Sequence, residues 1–215
     1  MPLPKRIEKK KLFLVEGADA YFFFIWACNA SNVNDVQVID FGGITDLYLF
    51  LKTLRGLSEF DDVSAMLIAR DAEGNADGAA KSVTSALKRN GFVVPQKPFE
   101  FAQGSPGSPR VAYMILPGFD SDSEGKMLSR GTLEDLCLSM STANSDAVGA
   151  CVDAYINCLE SKSIKIGHPH KTRLHAYLAG KDDLVGLKIG EAARAGAWDW
   201  ERVAFSPFRK TIRDM

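Results

Sequence analysis

The sequence predicts an α/β fold: a mostly parallel sheet of four strands, or slightly more, with helices on both faces and additional C-terminal helices. Short runs of β-branched and large apolar residues alternate with longer segments whose apolar residues recur at helical spacing. The short runs are apolar throughout, which is typical of strands covered on both faces. The 215 residues, 46% hydrophobic and 25% charged, have the composition of a globular protein and can bury a substantial core.

The apolar runs predict strands at 11–15, 36–40, 63–69 and 111–117. Helices are predicted at 19–30, 45–57 and 76–90, and Gly91 provides a helix stop after the third. Polar loops follow at 103–109 and 118–131. The remaining helices are predicted at 132–141, 146–161 and 170–179, before a tail from 190 to 215 with one short helix.

The domain organisation follows from the absence of any internal repeat or convincing linker. We predict one domain over 1–215, with a core at about 11–140 and a helical extension at about 145–215 packed on it. The tail's aromatic residues are expected to fold back onto this body, and they are Trp198, Trp200, Phe205 and Phe208.

Charge and hydropathy exclude several classes of protein. A net charge of −1 gives no global attraction to nucleic acid, although basic residues concentrate near both ends of the chain. No apolar run reaches the length of a membrane span, and the start lacks the pattern of a secretory signal, so we expect a cytoplasmic protein with no membrane contact. The cysteines show no CxxC pair and are expected to be reduced thiols packed in apolar surroundings.

Acidic residues follow three of the four predicted strands. Glu16 comes after the first strand, Asp40 ends the second, and Asp71 with Glu73 follows the third. Ligands of an open parallel sheet gather at the carboxyl ends of its strands, so these side chains are expected to meet at one edge. Clustered carboxylates repel one another unless a cation joins them, and oxygen ligands suit Mg²⁺ or Mn²⁺.

Three stretches together resemble the TOPRIM domain of topoisomerases, primases and OLD (overcoming lysogenization defect) nucleases. They are "FLVEGADAYFF", "VIDFGGITDLYLFLK" and "LIARDAEG", in that order along the chain. The later "GTLEDLCL" and "HKTRLHAYLAG" resemble a stand-alone prokaryotic branch close to the nuclease half of OLD proteins. The resemblance runs from about residue 12 to residue 208 and implies a TOPRIM-like, Rossmann-like fold.

The resemblance also implies a metal-dependent phosphodiester site. Glu16 matches the family glutamate, a metal ligand or general acid/base, and Asp71 with Glu73 matches the Asp-x-Asp pair that holds Mg²⁺. Glu134 matches a further acidic ligand, and Lys171 matches a lysine that neutralises charge on the phosphate. The chain departs from the pattern by having glutamate at 73 and, where nuclease relatives often carry an acid, Ala20; Asp19 is the candidate substitute.

Each acidic residue also has a purely structural interpretation. Asp19 is favoured as the N-cap of the first helix. Asp40 is equally well explained by hydrogen bonds within its own turn, and Glu134 by a place at a helix start. Lys171 resembles an ordinary surface lysine apart from the family match.

Two hypotheses about function follow. The first is an Mg²⁺-dependent or Mn²⁺-dependent nuclease or phosphoesterase acting on nucleic acid, with phage defence or DNA repair as the setting. No Walker A motif is present, which excludes the ATPase half of OLD proteins from this sequence. The alternative is an inactive TOPRIM-like module that binds nucleic acid or a separate partner protein. The aromatic tail also suggests a homodimer, because its apolar surface is more than one chain is expected to bury.

Overall fold

The computed structural model describes residues 6–43, 45–119, 126–141 and 147–215, and its centre is a sheet of four parallel strands. The strands are β1 (Lys11–Val15), β2 (Val36–Asp40), β3 (Ala65–Asp71) and β4 (Arg110–Leu116), in the spatial order β2-β1-β3-β4. In the register of the sheet, Val15 lies beside Asp40 on one side and Ala69 on the other. The predicted parallel sheet is confirmed.

Eight α-helices lie within the described ranges. They are α1 (Gly17–Ala30), α2 (Leu47–Arg55), α3 (Ala76–Arg89), α4 (Leu133–Ser139), α5 (Ala147–Ser161), α6 (Pro169–Ala179), α7 (Ile189–Arg194) and α8 (Ser206–Arg213). Short 3₁₀ turns occupy Ser58–Asp62, Asp182–Leu184 and Val203–Phe205. None of the described helices is both long and apolar enough to cross a bilayer.

The sheet separates two hydrophobic clusters. On one face α2 and α3 cover Leu12 and Leu14 of β1, and on the other face α1 and helices α4 to α8 cover Phe13 and Val15. Alternate residues of one strand therefore enter different clusters, as the side-chain period of two requires. Both faces need apolar residues, which explains the unbroken apolar runs in the sequence.

The C-terminal tail packs on the α1 face of the sheet. Phe205 and Phe208 are stacked with ring centroids 5.8 Å apart, and Phe23 of α1 lies 5.2 Å from Trp200. Trp198, Phe205 and Phe208 are buried within the chain itself. The fold-back of the tail is therefore confirmed, and the argument for a homodimer loses its basis because these aromatic side chains need no second subunit to cover them.

Several boundaries differ from the sequence prediction. β3 extends to Asp71 rather than 69, because β4 pairs with it as far as Leu116. The tail holds two short helices, α7 and α8, instead of one. The described part of the chain does not include residues 120–125 of the predicted polar loop at 118–131, nor residue 146 of the predicted fifth helix.

Two structural assignments were wrong. Asp19 is not an N-cap: α1 begins at Gly17, whose φ of +86° allows the chain to turn directly after Glu16. Cys151 and Cys158 are exposed instead of packed, because α5 buries only Val152 and Ile156. All four cysteines are free thiols, as predicted, and two of them, Cys28 and Cys137, are buried.

Close packing of α1 against α7 gives a test of the fold. A Cβ added to Gly190 would lie 2.2 Å from the Cβ of Phe22 and 3.3 Å from its Cα, so Gly190→Ala must push the two helices apart. We expect a loss of about 1–3 kcal/mol in unfolding free energy, or about 2–4 °C in melting temperature for each kcal/mol.

Gly149 of α5 is the matched control, since a Cβ there meets nothing within 4 Å. Gly149→Ala is expected to leave the melting temperature unchanged or slightly higher, because alanine favours helix. An unchanged melting temperature for Gly190→Ala would contradict the close approach of α1 and α7.

Candidate functional site

The candidate site lies where the chain diverges at the carboxyl edge of the sheet. β1 and β3 are neighbours, yet α1 leaves β1 toward one face and α3 leaves β3 toward the other. Such a divergence opens a crevice between the two strand ends, and ligands of open α/β sheets bind there. Glu16 follows β1 and Asp71 ends β3, so both acids stand at this crevice.

Glu16 is paired with a buried arginine of the neighbouring strand. Arg70 Nε lies 3.4 Å from Glu16 Oε2, and the arginine side chain is only 4% exposed. The alignment is too poor for a hydrogen bond at Nε, while the other end of the guanidinium donates to the carbonyl oxygen of Ala79. Arg70 therefore offsets part of the negative charge beneath the crevice and holds Glu16 toward it.

The third strand and the turn after it place Asp71 and Glu73. Asp71 Oδ1 accepts a hydrogen bond of 2.9 Å from the backbone N–H of Leu133, the first residue of α4. Glu73 has a φ of +51°, unusual for a residue with a side chain, and two backbone hydrogen bonds of 2.8 Å with Gly131 fix it there. A strained backbone held this firmly is common at functional sites.

Helix α4 contributes a second buried acid. Glu134 is 5% exposed, and its nearest cation is Lys171 of α6, whose Nζ lies 3.9 Å from Glu134 Oε1. Lys171 itself is 57% exposed, so its ammonium group faces the opening of the crevice as well as the acid. The two residues that the family resemblance implied beyond the core strands are therefore brought together by the packing of α6 on α4.

A hydrogen-bonded acid and histidine lie beside this pair. His170 Nδ1 is 2.9 Å from Asp135 Oδ1 and 2.8 Å from Asp135 Oδ2. Asp135 is itself held by the backbone N–H of Thr132, which donates to Oδ2 at 2.8 Å. A carboxylate accepts hydrogen bonds, so Nδ1 of His170 is the donor to Asp135, and Nε2 is left for another partner.

Most of these side chains line one cavity of about 860 Å³, which we call the carboxylate pocket, while Arg70 and Asp135 lie behind its lining as partners of Glu16 and His170. Five acids lie along it: Glu16, Asp19, Asp71, Glu73 and Glu134. Basic and histidine side chains line the same cavity, mostly from α6 and the loops beside it: Arg130, His168, His170, Lys171, His175 and Lys188. The pocket therefore combines an acidic floor with a basic wall.

The acidic floor is electrostatically costly. Burial raises the pKa of Asp71 well above its ordinary value, and the charges of Glu134, Glu16 and Glu73 raise it further, against the N–H of Leu133, which lowers it. Burial also raises the pKa of Glu16, although Arg70 counteracts this. Burial and the neighbouring charges therefore disfavour the ionised forms of Asp71 and Glu16.

The remaining predicted residues fall into two groups. Asp19 lies in the first turn of α1 and lines the pocket. Asp40 does not line it: its Oδ1 accepts hydrogen bonds from the N–H groups of Gly17 at 2.9 Å and Gly42 at 2.8 Å. The carboxylate of Asp40 supports the turns that follow β1 and β2, as its structural interpretation predicted.

Three basic residues at the site, Arg70, Arg130 and Lys188, were not predicted from the sequence. The hydrogen bond between His170 and Asp135 was not predicted either. An available signal was the arginine in the apolar run "AMLIARD", since a charged residue inside a buried strand needs a partner. No comparable signal exists for the His170–Asp135 pair, whose members are 35 residues apart in the sequence.

The electrostatic cost at Asp71 leads to a test of stability. A pKa raised by folding means that the charged form of Asp71 destabilises the folded state above that pKa, and that the cost disappears as the pH falls. Asp71→Asn keeps an oxygen acceptor for the N–H of Leu133 but removes the charge. Without added metal at neutral pH, we expect a higher melting temperature, by about 2–4 °C for each kcal/mol regained.

The gain from Asp71→Asn should shrink in mildly acidic buffer, where the wild-type carboxyl group also becomes neutral. Asp61→Asn, which changes an exposed acid on the turn Ser58–Asp62, is the matched control and should show no such pH-dependent gain. A lower melting temperature for Asp71→Asn at every pH would show that the charge stabilises the fold.

Comparison with known proteins gives one family and one structural likeness. No curated protein sequence matches the chain. Among solved structures, the C-terminal region of the Xanthomonas campestris pv. campestris OLD protein aligns with 96% of this chain and 95% of its own, at 12% identity and a TM-score of 0.49. A likeness at this level is no argument for a shared activity. Residues 10–215 match the family model described as "Protein of unknown function (DUF3226)". Because the match spans nearly the whole chain, the protein belongs to the DUF3226 family.

Proposed function

We propose that the carboxylate pocket hydrolyses phosphodiester bonds of nucleic acid with the help of Mg²⁺ or Mn²⁺. The supporting observation is that five acids, of which Glu134 is buried and Glu73 exposed, line the same cavity as the exposed Lys171 and its neighbouring histidines. Acids alone would repel a phosphate, and bases alone would not hold a divalent cation. A pocket with both is suited to a phosphate and a cation that bind together.

The donor set fits such a cation by its chemistry. Glu16, Asp71, Glu73 and Glu134 offer oxygen ligands, and the pKa of Asp71 is raised first by burial and then by the neighbouring carboxylates, whose repulsion a cation would relieve. Within the described residues, no group of three or more His, Cys, Asp or Glu side chains lies close enough to hold a metal ion. Mg²⁺ is usually held by one or two carboxylates with water and substrate phosphate, which matches an incomplete protein shell.

Each side chain has a role in the proposed reaction. The carboxylates of the pocket would hold a divalent cation, whose chemistry there would be to polarise the phosphate and lower the pKa of the attacking water. Lys171 neutralises charge on the phosphate, and Arg70 holds Glu16 in place to accept the proton of that water. Attack on phosphorus breaks the bond to the leaving oxygen, which takes a proton from Nε2 of His170 in its doubly protonated, imidazolium form and leaves the neutral imidazole with its Nδ1–H on Asp135. Asp135 keeps the imidazole oriented for this transfer.

A second candidate function is a catalytically inactive module that binds nucleic acid or a partner protein. It is favoured by Ala20, which lines the pocket where nuclease relatives often carry an acid. This candidate predicts binding that weakens with salt and no turnover.

The cation is tested with the pair Asp71→Asn and Asp61→Asn. Mg²⁺ or Mn²⁺ should raise the melting temperature of wild type and should change that of Asp71→Asn little or not at all. Asp71→Asn should also lose metal-dependent cleavage of DNA or RNA by about 10²-fold or more while remaining folded. Asp61→Asn should behave as wild type in both measurements, and full cleavage by Asp71→Asn would overturn the proposed site.

The role of His170 is tested by the leaving group. A nucleoside oxygen needs a proton as it departs, whereas p-nitrophenolate leaves without one. We expect His170→Gln to slow hydrolysis of an oligonucleotide by about 10²-fold and that of a p-nitrophenyl phosphodiester only slightly. An equal loss on the two substrates would assign His170 a structural or binding role instead.

A further inference from the structure

A second cavity, of about 810 Å³, lies between α5 and α6 and joins the carboxylate pocket. We call it the α5–α6 groove. His168, Lys171 and His175 line both cavities, so the groove begins where the basic wall of the pocket ends. An ion pair between Arg173 and Asp153 links the two helices.

The lining of the groove is different in chemistry from that of the pocket. One stripe of α5, at helical spacing, contributes Val148, Cys151, Val152 and Tyr155. Opposite it, α6 and its end contribute small residues, Ala176, Ala179 and Gly180, and at Gly180 the two helices come so close that an added Cβ would lie 2.6 Å from Val148 Cγ1. None of the described residues that line the groove is an acid. Beyond His168, Lys171 and His175, which it shares with the pocket, the described lining of the groove is therefore apolar except for Thr172.

This arrangement selects the shape of a ligand. A phosphate held at Lys171 would lie between the groove and the carboxylate floor, and a flat apolar group attached to that phosphate would extend between α5 and α6. Tyr155 is 49% exposed, and its ring offers a stacking surface that accepts any base. A sugar phosphate has no apolar body to fill such a groove, and a nucleotide has one.

We propose that the α5–α6 groove binds an unpaired base of the nucleic acid next to the scissile phosphate. The proposal rests on the proposed function and adds the substrate class: single-stranded nucleic acid, or a duplex end whose terminal base is unpaired. A paired base cannot enter, because its partner strand would collide with the walls of a groove formed by two helices.

Two cysteines of α5 provide a test that does not depend on turnover. Cys151 lines the groove and Cys158 does not, although both are exposed. Cys158→Ser leaves Cys151 as the accessible thiol, and Cys151→Ser leaves Cys158 as the matched control. Burial raises the pKa of the Cys28 thiol to about 12 and that of Cys137 well above its ordinary value, so both stay protonated and react slowly.

Labelling by a thiol reagent is measured with a thymidine trinucleotide and with a trimer of the same backbone that carries no bases. Ca²⁺ replaces Mg²⁺ in both measurements to limit turnover. At a concentration of about ten times its Kd, the thymidine trimer should slow labelling of Cys151 about tenfold, since labelling follows the free fraction. Cys158 should be unaffected, the base-free trimer should protect Cys151 far less, and Tyr155→Ala should weaken the protection.

Equal protection by the two trimers, equal protection of both cysteines, or no protection would overturn the proposal. Hydrolysis of both trimers with Mg²⁺ is measured in parallel and separates the two levels of inference. Equal hydrolysis without protection of Cys151 would leave the proposed function standing and remove the base-binding groove. Protection of Cys151 that requires bases, without hydrolysis of either trimer, would support the groove and count against the hydrolytic function.

Discussion

The carboxylate pocket depends on one constraint: β1 and β3 lie side by side, buried on both faces, while the helices that follow them cover opposite faces. The chain must therefore open a crevice at the carboxyl end of the sheet, since neither helix passes over it. Glu16 and Asp71 are the residues that the strands deliver to that opening. Gly17, with its positive φ, turns the chain away immediately after Glu16 and keeps the crevice clear.

The charges around the crevice are only partly balanced within the protein. Arg70 lies beside Glu16, and Lys171 approaches Glu134, whereas the direct partner of Asp71 among the described residues is the backbone N–H of Leu133. The pKa of Asp71 is raised by its burial and by the charges of Glu134, Glu16 and Glu73. A fold that keeps such a carboxylate gives up stability there, as proteins often do where a site must bind a ligand.

The C-terminal helices complete the pocket rather than simply covering the sheet. α4 places Glu134 and Asp135 next to each other on its first turn, and α6 packs against it so that His170 meets Asp135 and Lys171 meets Glu134. The same helix α6 forms one wall of the α5–α6 groove. Movement of α6 would therefore disturb the acid pairs and the groove together, which couples the two cavities through one helix.

Much of this architecture was determined by the sequence alone. The apolar runs of β1 to β4 identify a parallel sheet because strands buried on both faces leave no polar alternation, and acids directly after such strands must come to one edge. That reasoning placed Glu16, Asp71 and Glu73 together. It also placed Asp40 there, while leaving open whether its carboxylate would join the site or accept hydrogen bonds in its own turn. In the structure the carboxylate accepts hydrogen bonds from Gly17 and Gly42.

Only the tertiary structure decided how the other side chains meet. The pairing of His170 with Asp135, the approach of Lys171 to Glu134 and the groove beside Tyr155 all depend on how α5 and α6 pack on α4 and on each other. Local patterns fix where a helix forms and which stripe is apolar, but they do not fix which distant helix covers that stripe. The strand ends are set by backbone pairing in a regular sheet, whereas helix contacts are set by side-chain packing between segments far apart in the chain.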